Sequence, residues 1–161
     1  MQCDNFLMEH SIAALPDAAY LARIGEVAYT VSYTEWTILG DLHRLSVDFP
    51  SDLTLNALEP ETTGQIANLL NIAAKKFPGG AVRDYVAAAS AGLQVMSTIR
   101  NNVLHARPAT HDDGQRLLRA EVVQHSTTGV RFWIDDDWLD ASILRLNEVI
   151  RTINAVRPSL P

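Results

Sequence analysis

Apolar side chains recur at three- and four-residue intervals through most of the chain. Tyr20, Ile24, Val27, Val31, Thr34, Ile38, Leu42 and Leu45 fall on one stripe, which predicts a long first helix over about residues 17–46. Pro16 suits its first turn, and Asp48-Phe49-Pro50 ends it. After a loop rich in Pro, Asp, Ser and Asn, Thr62 or Thr63 is placed to cap a second helix carrying Ile66, Leu69, Leu70 and Ala73, which Pro78-Gly79-Gly80 terminates. A third helix is predicted over about 81–105, with Val82, Tyr85, Val86, Ala89, Leu93, Met96, Ile99 and Val103 as its apolar arc. Pro108 disfavours helical backbone at Arg107, so this helix finishes there.

The periodicity changes over 117–134. Val122 and Val123, then Val130, Phe132, Trp133 and Ile134, read as two short strands around a Ser126-Thr127-Thr128-Gly129 turn. Asp135 to Asp137 offer an N-cap and first-turn acids for a last helix, whose seam is Leu139, Ile143, Leu146, Ile150 and Ile153 and which Pro158 closes. The expected fold is mainly α, a bundle of about four helices with a short β-hairpin before the last. With 161 residues, 47% of them hydrophobic, residues 1–161 can bury a core as a single domain without disulfides.

Cys3 stands alone, so no intramolecular bridge is possible, and a reducing, cytoplasmic setting is expected. No stretch approaches the ~18–20 consecutive apolar residues of a membrane span, and the N-terminal residues lack the basic and apolar regions of an export signal. A net charge of −6 argues against a protein that grips nucleic acid over its whole surface. The charge is uneven, however: residues 75–119 hold seven bases against Asp84, Asp112 and Asp113, a local balance of +4. An anion site therefore belongs in the middle third. No metal or cofactor is expected: His111-Asp112-Asp113 reads as a solvated turn, Asp135-Asp136-Asp137 as a helix cap, and no paired Cys or phosphate-cradling Gly loop is present. Trp36, Trp133 and Trp138 read as core or interface anchors rather than platforms for bases.

Cationic and amide groups concentrate where the third helix gives out, in Ile99-Arg100-Asn101-Asn102-Val103-Leu104-His105-Ala106-Arg107-Pro108. On a helical wheel Arg100 falls among Val82, Leu93 and Met96 on the apolar arc, while Asn101 and His105 share the polar edge. A straight helix would point Arg100 and His105 roughly 140° apart. For both to grip one phosphate, the helix must loosen ahead of Pro108, or two chains must each lend their own motif. The first helix holds a matching anomaly, because Glu35 lies between Val31 and Ile38 inside the core-facing stripe. A buried carboxylate needs a partner, and Arg100, also a charge on an apolar face, is expected to meet it. Arg119 and His125 have a similar spacing, but they fall with Val122 and Val123 on a predicted strand, and we read that pair as accidental.

An Arg, an Asn directly after it and a His closing the helix, within a helical bundle, resemble the HEPN superfamily, whose signature is Arg, four to six residues, then His, with a polar residue after the Arg. Residues 100–105, RNNVLH, carry the resemblance. It implies a homodimer that cleaves RNA without metal, as a toxin or antiphage defence effector: the ribose 2′-OH attacks the adjacent phosphate and leaves a cyclic phosphate. Arg100 would hold the phosphate, His105 would act as general acid or base, and Asn101 would orient His105 or bind a phosphate oxygen. Glu35, Asn102 and Arg107 would support them. Some members carry a Tyr two residues after the His, which a partner nucleotidyltransferase antitoxin modifies. Here Arg107 takes that position, so that mode of control is in doubt. The alternative within the same resemblance is a catalytically silent interaction or regulatory module.

Overall fold

A computed structural model describes residues 12–45, 53–124 and 126–160. Cys3, His10, Asp48-Phe49-Pro50 and His125 lie outside the described residues. Among the described residues five helices and three strands follow one another. Helix α1 spans Ala18–Arg44. Its N-cap is Asp17, whose Oδ1 accepts the Tyr20 N–H at 2.9 Å, so Pro16 precedes the cap rather than sitting in the first turn. Tyr20, Val27, Val31, Thr34, Ile38 and Leu42 of the expected stripe are buried.

The expected loop contains a short helix α2 (Leu55–Leu58), with Leu53 and Leu58 fully buried. One turn is too short to show a period, so the pattern could not reveal it. Helix α3 (Thr63–Ala74) starts at a capping box: the Thr62 hydroxyl accepts from the Gln65 N–H, and Gln65 Oε1 accepts the Thr62 N–H at 2.9 Å. Helix α4 (Ala81–Leu104) packs against α1, α3 and the final helix α5 (Asp136–Ala155). Gly92 permits the approach of α5, since a Cβ there would lie 2.7 Å from Ile153 Cδ1 and 2.8 Å from Val149 Cγ1. Asp135 caps α5 by accepting the Trp138 N–H at 2.8 Å.

Between α4 and α5 the chain forms a three-stranded antiparallel sheet rather than a two-stranded hairpin: β1 (Arg107–His111), β2 (Gly114–Val123) and β3 (Ser126–Ile134), in that spatial order. Strand β1 was illegible because it contains Pro108, which a ladder tolerates only at an edge, and β1 is an edge. His111-Asp112-Asp113 forms the β1–β2 turn, closed by Gly114 at φ +103°. The second reversal is also displaced from its expected position. Register closes at Val123↔Ser126 with Gln124 at φ +49°, so Ser126-Thr127-Thr128-Gly129 lies within β3, where β-branched threonines are at home. Between the pairs Ala120↔Arg131 and Val122↔Thr127 the register shifts, and β3 bulges through a stretch that includes Gly129 at φ +86°.

Tyr20 and Arg116 tie the sheet to the bundle. The Tyr20 hydroxyl donates to the Ile134 carbonyl at 2.6 Å and accepts the Leu117 N–H at 3.0 Å. Arg116, 6% exposed, pairs with Asp17 at 3.0 Å and Asp136 at 2.9 Å, its guanidinium 4.4 Å from the Tyr20 ring centre. These contacts fix where the strands present their remaining arginines.

Candidate functional site

Helix α4 ends at Leu104, and His105 is its C-cap with φ −102° and ψ 3°. Its N–H still closes a helical turn on the Asn101 carbonyl at 3.0 Å, and only its own φ and ψ leave the helical range. Arg100, Asn101 and His105 line one open cleft of about 530 Å³. Its other wall is the first turn of α3, with Thr62, Gly64 and Gln65, followed by Asn68. That turn is the positive end of a helix dipole, and Gly64 lets it approach α4 closely: a Cβ there would meet Ser97 Oγ at 3.0 Å. His105 is exposed, and its imidazole has no hydrogen-bond partner among the described residues.

Arg100 is half-buried and held from behind. Its Nη1 donates to Thr63 Oγ1 at 2.9 Å, and the same hydroxyl donates to Glu35 Oε2 at 2.5 Å. Glu35 and Arg100 thus meet through one hydroxyl rather than as a direct ion pair. Glu35 sits at the half-buried edge of its stripe, not in the core. Thr63 is 0% exposed, so the relay is shielded from water at its centre. Arg100 Nε is buried with no acceptor among the described residues. An unsatisfied charged N–H is uncommon in a native interior, and it leaves this guanidinium able to gain from a further acceptor.

The other expected site residues are divided. Asn101 Nδ2 donates to Ser97 Oγ at 3.4 Å, a long contact, and not to the imidazole. Asn102 faces the sheet, where its Oδ1 accepts from Arg119 Nε at 3.4 Å, while Arg119 Nη1 donates to the His105 carbonyl at 3.4 Å. Arg107 begins β1 and lines a second cleft of about 400 Å³ together with His105, Arg119 and Arg131. His105 therefore stands between two concavities. Sequence reasoning missed Thr63, because a Thr beside a cap reads as part of the cap. It also set Arg119 aside, because only the return of β2 along the end of α4 brings that side chain to His105.

Among the described residues no group of three or more His, Cys, Asp or Glu is arranged to hold a metal ion. No described helix is long and apolar enough to cross a membrane. Of the tryptophans, Trp138 packs on the core and Trp133 meets the His111 ring edge-on at 4.8 Å, whereas Trp36 is 59% exposed. Trp36 shares an exposed face of α1 with Tyr29 and Tyr33, at helical spacing. The cleft itself offers one anchored guanidinium, one accessible imidazole and an amide, which suits binding an oxyanion and moving a proton. Comparison of the chain with known families, curated proteins and solved structures gives no match.

Proposed function

We propose that the chain is a metal-independent endoribonuclease of the HEPN type, acting on RNA as a homodimer. The observation that carries this reading is the placement of Arg100, Asn101 and His105 on one cleft, with Arg100 anchored through Thr63 to Glu35. In the reaction the ribose 2′-oxygen bonds to the neighbouring phosphorus as the bond to the 5′-oxygen breaks. A base takes the 2′-OH proton, an acid supplies one to the departing 5′-oxygen, and a cyclic phosphate remains. Arg100 holds the phosphate and offsets charge growing on it. His105 transfers a proton. One imidazole in the cleft leaves the second proton transfer to another group, and a symmetry-related His105 supplies it in a dimer.

The test is RNA cleavage in chelator by the wild type, Arg100→Ala and His105→Ala. Loss of an acid–base group or a charge-stabilising donor is expected to lower the rate by ~10²–10⁴. Equal cleavage by all three overturns the proposal. A catalytically silent binding module is the second reading. It is favoured by Glu35, whose charge partly offsets that of Arg100 across Thr63. A benign, folded wild type on expression supports that reading against a toxin.

A further inference from the structure

The second cleft belongs to none of the roles above. Arg107 on β1 lies opposite Leu118, and Arg131 on β3 lies opposite Ala120. Leu118 and Ala120 are two apart on β2, so the two arginines share one face of the sheet from the strands on either side of it. Arg119 and His105 close the cleft toward α4, and no acidic side chain lines it. Arg107 and Arg131 are exposed, and their guanidiniums have no partner among the described residues. The floor on that face is apolar, with Ala109, Leu118 and Ala120. In a chain of net charge −6, two unpartnered arginines on one sheet face with no acid beside them are a local exception.

We infer that this cleft binds the backbone of single-stranded RNA adjoining the phosphate at His105, so that the sheet is the subsite that holds the strand. The inference rests on the RNA reading of the neighbouring cleft. Guanidiniums on two flanking strands meet successive phosphates. The floor between them takes an unstacked base face, which a duplex does not offer. The cleft's volume of about 400 Å³ lies within the ~300–1,000 Å³ of ordinary ligand sites. His105 lines both clefts, so a strand held by the sheet runs directly into Arg100's cleft.

The test uses full-length protein and a short, labelled 2′-O-methyl oligonucleotide, which cannot be cleaved through its 2′-oxygen, with binding followed across a salt series. Arg107→Ala/Arg131→Ala is expected to bind roughly tenfold more weakly and to flatten the log–log salt slope by about 1.4, the value for two lost single-strand phosphate contacts. Arg107→Lys/Arg131→Lys should keep most of the slope. Arg151→Ala, on the exposed surface of α5 outside the cleft, should match the wild type. An unchanged slope in the double alanine variant overturns the inference, as does tighter binding of duplex RNA or no binding by the wild type. The outcomes separate from those of the nuclease reading. A flattened slope alongside undetectable cleavage of ordinary RNA supports the strand site and removes only the catalysis. Normal cleavage with an unaltered slope does the reverse.

Discussion

Thr63→Val removes a single hydroxyl from a side chain of nearly constant shape, and that hydroxyl bridges Glu35 and Arg100. Thr63 Oγ1 donates to Glu35 Oε2 at 2.5 Å and accepts from Arg100 Nη1 at 2.9 Å. Hydrogen bonds to charged groups contribute ~1.5–3 kcal/mol each. Both charges are half-buried, so water replaces part of each bond in the variant and the lower end of that range applies. If the guanidinium and carboxylate then close on each other, a partly exposed ion pair returns ~0.2–1 kcal/mol. The net loss expected is about 2 kcal/mol, or a melting point lower by about 4–8 °C for a chain of this size. Urea unfolding measures it directly, with an unchanged m-value as the sign that the variant unfolds from the same state. Thr63→Ser keeps the hydroxyl and should lose less. If Thr63→Val is within ~0.5 kcal/mol of the wild type, the range of ordinary surface substitutions, the relay does not hold Arg100 and the anchoring argument fails.

Four further outcomes follow from contacts elsewhere. Tyr85 donates to Asp41, 3% exposed, at 2.5 Å, and Arg157 also donates to that carboxylate; Tyr85→Phe should cost about 2 kcal/mol in the same unfolding assay. Burial, reinforced by the bond to Asp41, pushes the Tyr85 hydroxyl well above its ordinary value. Its stabilising contribution is therefore complete below pH ~10 and declines above it, where the unfolded chain ionises and the folded one does not; Tyr85→Phe should lose less stability across that window. At the acid end, the Tyr20 N–H, followed by Arg116, holds Asp17 below the usual carboxylate range against the opposing effect of burial. Its contribution is present above pH ~4 and is lost as pH falls through the folded value, and Asp17→Asn should flatten that part of the pH–stability curve. Arg116→Met leaves the half-exposed Asp17 without its ion partner while Asp136 keeps Arg23 at 3.2 Å, and calorimetry should register a loss of about 1.5 kcal/mol.

The four long helices were legible because each carries an apolar stripe that the fold buries wholly or in part, and three of them start at a side-chain cap, whereas α4 starts at Gly80 without one. Residue type narrowed the caps to Thr62 or Thr63 and to Asp135–Asp137, and the structure selects Thr62 and Asp135, each accepting the N–H three residues on. The sheet was only partly legible. Pro108 hid β1 as an edge strand, and a tight reversal at Gln124, with neither Gly nor Pro, left Ser126-Thr127-Thr128-Gly129 as the more obvious turn. The motif at 100–105 and the link from Glu35 to Arg100 could be read from charges on apolar faces. Thr63 as the intermediary, and Arg119 and Arg131 as neighbours of His105, could not, because long-range pairing of β2 and β3 and the packing of α3 on α4 create those proximities.

The most direct test of the functional account is the chemistry of the product ends. Single-stranded RNA incubated with the protein in chelator should yield fragments ending in a 2′,3′-cyclic phosphate, and Arg100→Ala and His105→Ala, each folded with wild-type unfolding cooperativity, should yield almost none. Cyclic ends produced as fast by His105→Ala as by the wild type, or fragments with only 3′-hydroxyl ends, would contradict it.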